Sequence, residues 1–181
     1  FNGKDGINIE GTGTEPMPIQ SSEIRTIVEG FTLTKQGGYI DHYPAAIHIF
    51  GKSAIIRNNL ITKNGMVTGN LDSHGIDLRQ CPLVEIYDNV ISENYAGEIV
   101  GTGIRVLRST VVIHNNLIDS NTYSARVGKN YAAGVLVGSY GSDTEYATAT
   151  IYNNTISNNT IGLSGGISSM DGAGIYVSKG A

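Results

Sequence analysis

Ile56-Arg57-Asn58-Asn59-Leu60-Ile61-Thr62-Lys63-Asn64 is followed by three near copies of itself. These are Ile86-Tyr87-Asp88-Asn89-Val90-Ile91-Ser92-Glu93-Asn94, Ile113-His114-Asn115-Asn116-Leu117-Ile118-Asp119-Ser120-Asn121 and Ile151-Tyr152-Asn153-Asn154-Thr155-Ile156-Ser157-Asn158-Asn159. A degenerate earlier copy runs Ile27-Val28-Glu29-Gly30-Phe31-Thr32-Leu33-Thr34-Lys35, and the successive displacements are 29, 30, 27 and 38 residues. Self-similarity at such a period marks a stacked-repeat architecture. A second motif precedes each copy: Gly6-Ile7-Asn8-Ile9, Ala46-Ile47-His48-Ile49, Gly75-Ile76-Asp77-Leu78, Gly103-Ile104-Arg105-Val106 and Gly134-Val135-Leu136-Val137, with Gly174-Ile175-Tyr176-Val177 standing alone at the end.

The pieces inside each repeat are short, β-branched and alternating, and Gly, Asn and Ser separate them, so a repeat holds three short strands and three turns. A coil of three strands follows, with equivalent strands of successive coils paired in parallel about 4.8 Å apart and five coils making a column roughly 24 Å long. Inward Ile, Leu and Val then pack against the coils above and below, giving one continuous core. A β-sandwich would need antiparallel hairpins with tight turns, and it has no use for one nonapeptide repeated five times.

Composition agrees. The chain has 181 residues with 24 Gly, 16 Asn, 10 Tyr, no Trp and 15% charged residues, which reads as one domain over 1–181 that is a segment of a longer protein. Helix-forming stretches rich in Ala, Glu, Lys, Leu and Arg are missing, which excludes a helical bundle. A net charge of -4 with scattered Lys and Arg offers no basic footprint for nucleic acid and no polybasic membrane patch. The chain starts at Phe1 with no apolar run long enough for a signal peptide or membrane span, so it reads as a processed or excised piece. Cys81 is the single cysteine, and it precedes Pro82 in a turn with no marked His neighbour. No nucleophile elbow accompanies it.

The second Asn of each nonapeptide (Asn59, Asn89, Asn116, Asn154) is expected at the bend between second and third strands. Asn tolerates the left-handed conformation there, and Gly30 takes its place in the first copy. Stacked amides at that position would form a hydrogen-bonded ladder.

Period two places Asn8, His48, Asp77, Arg105, Leu136 and Tyr176 outward on the first strand of successive coils. His48, Asp77 and Arg105 thereby form a column, with Arg79 beside it and His74 just before the strand. Asp77 between His48 and Arg105 should stay ionised. Two readings follow: a cross-strand charge ladder on a solvated face, worth roughly 0.2–1 kcal/mol per pair, or a groove for an acidic sugar chain. In the groove, Arg105 or Arg79 would neutralise a uronate and His48 or His74 would move a proton. The long connections at 35–45, 64–74, 95–102, 121–133 and 160–173 carry Tyr39, His42, Tyr43, Tyr95, Tyr123 and Tyr131. Tyrosine rings there suit stacking on sugars, or simply cover the sheet edge. A second outer column, Arg57, Tyr87, His114 and Tyr152, reads as surface cover.

The Ile-x-x-Asn-x-Ile-x-x-Asn units over residues 6–177 resemble the right-handed parallel β-helix repeats of the pectate-lyase-like superfamily. That resemblance implies an all-β solenoid and an extracellular or cell-surface setting. It also implies a first-strand face that meets polysaccharide in its enzymes, beside adhesive and structural members without chemistry. Ser73-His74-Gly75 followed by Gly103-Ile104-Arg105-Val106 is similar to the last two elements of the polygalacturonase pattern. Ala45-Ala46 stands where its Asp pair belongs and Gly3-Lys4-Asp5 where its Asn-Thr-Asp triplet belongs. Glycosidases need two opposed carboxyl groups, so a lyase is the better enzyme reading, with His as base and Arg stabilising the enolate. Asp72, Asp77, Glu98 and Asp119 sit singly in different coils, so no metal site and no cofactor is expected; Ca2+ is the one ion the resemblance leaves open. No cap is visible at either end. The alternative function is therefore a structural or adhesive β-helix that self-associates end to end, with Gly11–Glu23 as a turn insertion shielding one edge.

Overall fold

The computed structural model describes residues 7–10, 25–34, 45–65, 73–96, 101–125, 132–138, 146–163 and 174–178. Every regular element among them is a strand. The first coil holds β1 (Ile7–Glu10), β2 (Thr26–Glu29) and β3 (Thr32–Thr34), and the second holds β4 (Ala45–Phe50), β5 (Ala54–Arg57) and β6 (Leu60–Thr62). The third has β7 (Ser73–Arg79), β8 (Val84–Tyr87), β9 (Val90–Ser92) and β10 (Tyr95–Ala96). The fourth has β11 (Gly101–Leu107), β12 (Thr110–His114), β13 (Leu117–Asp119) and β14 (Thr122–Ala125). The fifth has β15 (Val135–Val137), β16 (Thr148–Tyr152), β17 (Thr155–Ser157) and β18 (Thr160–Leu163), and β19 (Ile175–Val177) follows.

Strands of equal rank stack into a first sheet β1-β4-β7-β11-β15-β19, a second β2-β5-β8-β12-β16 and a third β3-β6-β9-β13-β17. All neighbours are parallel, with equivalent residues opposite one another: Ile47, Ile76, Ile104 and Val135 form one continuous row. Strands of one coil lie in different sheets, so each coil closes only by burying its inward row on the next. Ile56, Ile86 and Ile113 from the second sheet meet Ile61, Ile91 and Ile118 from the third in a single core, all fully buried. A fourth sheet, β10-β14-β18, was not expected. It gives the later coils a fourth strand in what the sequence suggested were loops.

The corners show how so short a chain turns so sharply. Among the described residues the corners carry positive φ at Gly51, Gln80, Arg108 and Gly138 after the first strand, at Gly30, Asn58, Asp88, Asn115 and Asn153 after the second, and at Lys63, Glu93, Ser120 and Asn158 after the third, with Gly65 adding another beyond Lys63. The left-handed conformation thus falls on the first residue of each Asn pair, not on the second as the sequence suggested. The pairing of Glu29 with Arg57 and of Thr32 with Leu60 sets Gly30 opposite Asn58 and leaves Phe31 opposite Asn59. For a residue with a Cβ this conformation costs roughly 1–2 kcal/mol. At the corners where a non-glycine residue bears that cost, the next residue turns inward and offsets it, as Asn59, Asn64, Cys81, Asn89, Asn94, Ser109, Asn116 and Asn121 do.

Asn59 shows the arrangement. Its side-chain Nδ2 donates to Val28 O at 2.9 Å in the coil below, to Arg57 O at 2.8 Å in its own coil and to Asn89 Oδ1 at 3.0 Å in the coil above. Asn89, Asn116 and Asn154 continue the ladder, and Phe31 ends it by donating its backbone N–H to Asn59 Oδ1 at 3.0 Å. A second ladder, absent from the sequence reading, runs through Asn64, Asn94, Asn121 and Asn159, the last residues of the nonapeptides. At the remaining corner Cys81 takes the same role. Its Sγ–H lies 3.3 Å from Ile49 O and 3.4 Å from Arg79 O, and its N–H donates to Ser109 Oγ at 2.9 Å. Burial pushes the Cys81 thiol up to about 11, and thiolate is the reactive form. Iodoacetamide at neutral pH is therefore expected to leave native Cys81 unmodified while fully alkylating the urea-unfolded chain, as mass spectrometry would show.

Glycine at the head of the first strands has a steric cause. A Cβ on Gly75 would lie 2.7 Å from Gly103 O and 3.1 Å from Asn94 Nδ2, and one on Gly103 would lie 2.9 Å from Gly134 O and 3.0 Å from Asn121 Nδ2. The second Asn ladder and the first sheet are packed backbone to amide, with no room for a methyl group between them.

Candidate functional site

The register of the first sheet sets His48 opposite Asp77 and Asp77 opposite Arg105. The period-two alternation is broken at the head of these strands: Ala46 and Ile47 both lie in the core, and a Cβ on Gly75 would face Ile91 Cγ2 while Ile76 also lies in the core. That break returns His74 to the outer side with Asp77. His48, His74, Asp77, Arg79 and Arg105 are thereby brought into one electrostatic cluster, the five residues singled out from the sequence.

Their surroundings differ from the solvated face that the charge-ladder reading assumed. Asp77 is 0% exposed, Arg105 2% and His74 2%. Along the same column Leu136 is buried against Ala132 and the partly buried Tyr176. At β7, β11 and β15 the first sheet is therefore buried on both faces, the usual state of a parallel sheet. His48 is half-buried, and Arg79 keeps 22% of its side chain exposed, so these two form the rim.

Every oxygen of the Asp77 carboxylate is occupied. Arg105 Nε donates to Oδ1 at 2.8 Å and Arg105 Nη2 to Oδ2 at 3.1 Å, a bidentate fork, and Arg79 Nε donates to Oδ2 at 2.9 Å. Burial works against the charge on Asp77, but the adjacent Arg105 guanidinium outweighs it and holds the carboxyl well below the usual carboxylate range. His74 goes the other way. Burial, reinforced by Arg105, holds it neutral far below the ordinary histidine range, and neither ring nitrogen has a hydrogen-bond partner. His48 Nε2 also lacks one.

Chemically, both Asp77 oxygens already accept from arginines, Arg105 has its fork closed on them, and both side chains are buried, so neither stands open to a sugar. Of the proposed sugar-stacking tyrosines, Tyr39, Tyr43 and Tyr131 lie outside the described residues, as does His42. Tyr123 is in β14 and buried in a small satellite core with Ala96, Ala133 and Ile161, which makes it a packing residue. Tyr95 is half-buried in β10, opposite Thr122. Among the described residues no three His, Cys, Asp or Glu side chains gather as metal ligands, and Asp72 lies outside them. No helix there is long and apolar enough to cross a membrane.

The outer column of the second sheet is more ordered than the sequence suggested. Tyr87 and His114 stack at 4.9 Å and 8°, and His114 and Tyr152 at 4.9 Å and 5°. Arg57 sits 5.9 Å from the Tyr87 ring centre, donates to its hydroxyl at 2.9 Å and pairs with Glu29 at 2.8 Å. The ring faces are turned on one another, so Tyr87 and His114 present edges to solvent rather than platforms for a sugar. What the sequence reading missed was the closure of the first-strand face. Leu136, an aliphatic residue in an otherwise polar column, was the signal for it.

A family model described as the right handed beta helix region matches residues 1–181. No curated protein and no solved structure matches the chain.

Proposed function

We propose that this chain, which belongs to the right-handed beta helix family, serves as a non-catalytic structural β-helix, a rigid spacer or display surface in an extracellular or cell-surface protein. The observation that carries this reading is the sealed Asp77–Arg105 pair: both carboxylate oxygens accept from arginines and both side chains are closed to water. A lyase would need its base and its carboxylate-binding Arg open to substrate. Two continuous Asn ladders and a core running through every coil supply what a spacer needs, since each coil is held by the one before it.

A second reading keeps polysaccharide on the same face. It is favoured by the rim of that face, where His48 is only half-buried and Arg79 keeps 22% of its side chain exposed. Incubation with a panel of neutral and acidic polysaccharides separates the two. The scaffold reading expects neither new reducing ends nor absorbance from unsaturated sugars, and no retention on an immobilised glycan. Retention that disappears in His48→Ala would favour glycan binding, and unsaturated products lost in His48→Ala would establish a lyase. Filaments in electron micrographs would add end-to-end assembly to the scaffold.

A further inference from the structure

We propose that the outer face of the third sheet is a self-docking surface, on which a second copy of the chain lies face to face about a two-fold axis running along β9. The inference depends on neither reading above. It rests on the order of residues up that face. The first residues of β3, β6, β9, β13 and β17 stand in register and read Thr32, Leu60, Val90, Leu117, Thr155. They face away from the core: Leu60, Val90 and Leu117 are 38%, 36% and 38% exposed, and both threonines are exposed. The next residues, Leu33, Ile61, Ile91 and Ile118, are buried. The exposed column thus reads the same upward and downward from Val90. Core and ladder positions repeat because every coil must stack, but stacking imposes no such symmetry on an exposed position. A two-fold contact between identical chains does, because it sets each residue of a patch against its mirror position in the same patch.

Turning one copy about that axis reverses the order of its coils and keeps its strand direction, the aligned arrangement of packed sheets. Leu60 then meets Leu117 of the second copy, Val90 meets its own counterpart and Thr32 meets Thr155, with the sheets about 10 Å apart. The neighbouring half-buried column holds Thr62, Ser92 and Asp119 on successive levels. The same rotation sets the Thr62 hydroxyl opposite the Asp119 carboxylate twice and Ser92 opposite itself. At the corner beyond, Lys63 lies 3.7 Å from Glu93 in its own chain. The rotation brings Lys63 of the second copy to the level on the other side of Glu93, so each glutamate lies between two lysines. The opposite corner column, Asn58, Asp88 and Asn115, is exposed and sets Asp88 against its own counterpart, a like-charged contact that weakens the pair. Three-residue strands on five levels make a face of roughly 24 by 10 Å, well short of the about 800 Å² per partner of a stable complex. The pair is therefore weak, with a Kd on the order of 0.1–1 mM, and it gains strength where several chains are held side by side.

Nuclear magnetic resonance of the whole chain, diluted from about 2 mM to about 0.05 mM, spans that range and tests the contact. Signals of Leu60, Val90 and Leu117 are expected to shift along one common binding curve, while Ile55 and Val112 on the outer side of the second sheet stay in place. Leu60→Lys should weaken the pair at least about tenfold, since it sets a charge against Leu117 of the second copy. Adding Leu117→Glu to the same chain should restore the affinity to within about threefold, because the two new charges then face each other across the axis at both places. Leu60→Lys with Leu117→Lys should leave the chain monomeric, and Asp88→Asn should tighten the pair about threefold. No dependence on concentration, shifts spread equally over the second and third sheets, or a Leu60→Lys/Leu117→Glu chain no better than Leu60→Lys alone would overturn the proposal. The dilution curve of the unsubstituted chain decides it even where a variant does not fold.

Discussion

Asp77→Ala is expected to destabilise the fold by about 3–5 kcal/mol, because it leaves Arg105 as a buried charge with nothing to neutralise it. Arg105 is 2% exposed, and its fork closes on the two oxygens that the substitution deletes. Asp77→Asn should lie close to Asp77→Ala, since the amide keeps the shape but not the charge. Removing both partners together, as Asp77→Leu with Arg105→Met, should recover most of the loss, because a buried pair and a well-packed apolar pair are often nearly equal in stability. Urea unfolding of the four proteins measures the difference. On a solvated face each pair is worth less than about 1 kcal/mol, so the size of the first effect decides between sealed clamp and surface ladder. The depressed Asp77 pKa adds a pH signature: its contribution is fully present above the ordinary aspartate value of about 3.9 and is lost as pH falls below it. At neutral pH the clamp is intact.

Asn89→Ala is expected to cost about 3 kcal/mol. The Asn89 amide donates to Ile56 O and Tyr87 O at 2.9 Å and to Asn116 Oδ1 at 3.0 Å, and its oxygen accepts the backbone and side-chain N–H groups of Asn59 at 3.0 Å. Alanine leaves buried donors and acceptors in two adjacent coils without partners. Its chain neighbour Asp88 carries the positive φ and is exposed. Asp88→Ala should therefore cost only about 1 kcal/mol of backbone strain, and Asp88→Gly almost nothing. Thermal or urea unfolding gives the order Asn89→Ala far above Asp88→Ala, then Asp88→Gly. Equal effects at 88 and 89 would mean that the ladder holds nothing together.

The fold was legible because its signal is redundant. Ile56, Ile86, Ile113 and Ile151 recur in one setting, and a row of identical residues has few explanations other than stacking. The neighbours of Asp77 were legible for the same reason: once coils stack, positions 48, 77 and 105 must adjoin. Corner detail was harder. Two consecutive asparagines offer no local means of telling which takes the left-handed bend and which turns inward, and the degenerate copy with Gly30 and Phe31 fits either alignment until strand pairing fixes it. Lys63, Glu93, Gln80 and Arg108 at positive φ were not readable, because long side chains carry no preference for that conformation. Burial of the first-strand face was hidden for a different reason. Alternation says which side of a strand a residue occupies, but what covers that side is a tertiary matter, so Tyr123 and Arg105 read as surface groups and prove to be interior ones.

Coil stacking itself is tested most directly by cysteine pairs on the third sheet, where Leu60, Val90 and Leu117 occupy successive levels of one partly exposed column. Adjacent levels lie about 4.8 Å apart, within the Cα separation of about 4.4–6.8 Å that a disulfide spans. Levels two coils apart, at about 9.6 Å, fall outside it. Mild oxidation followed by mass spectrometry is expected to bridge Leu60→Cys with Val90→Cys, and Val90→Cys with Leu117→Cys, but not Leu60→Cys with Leu117→Cys. Bridging of the 60/117 pair, or failure of both neighbouring pairs in folded protein, would contradict the stacked-coil account.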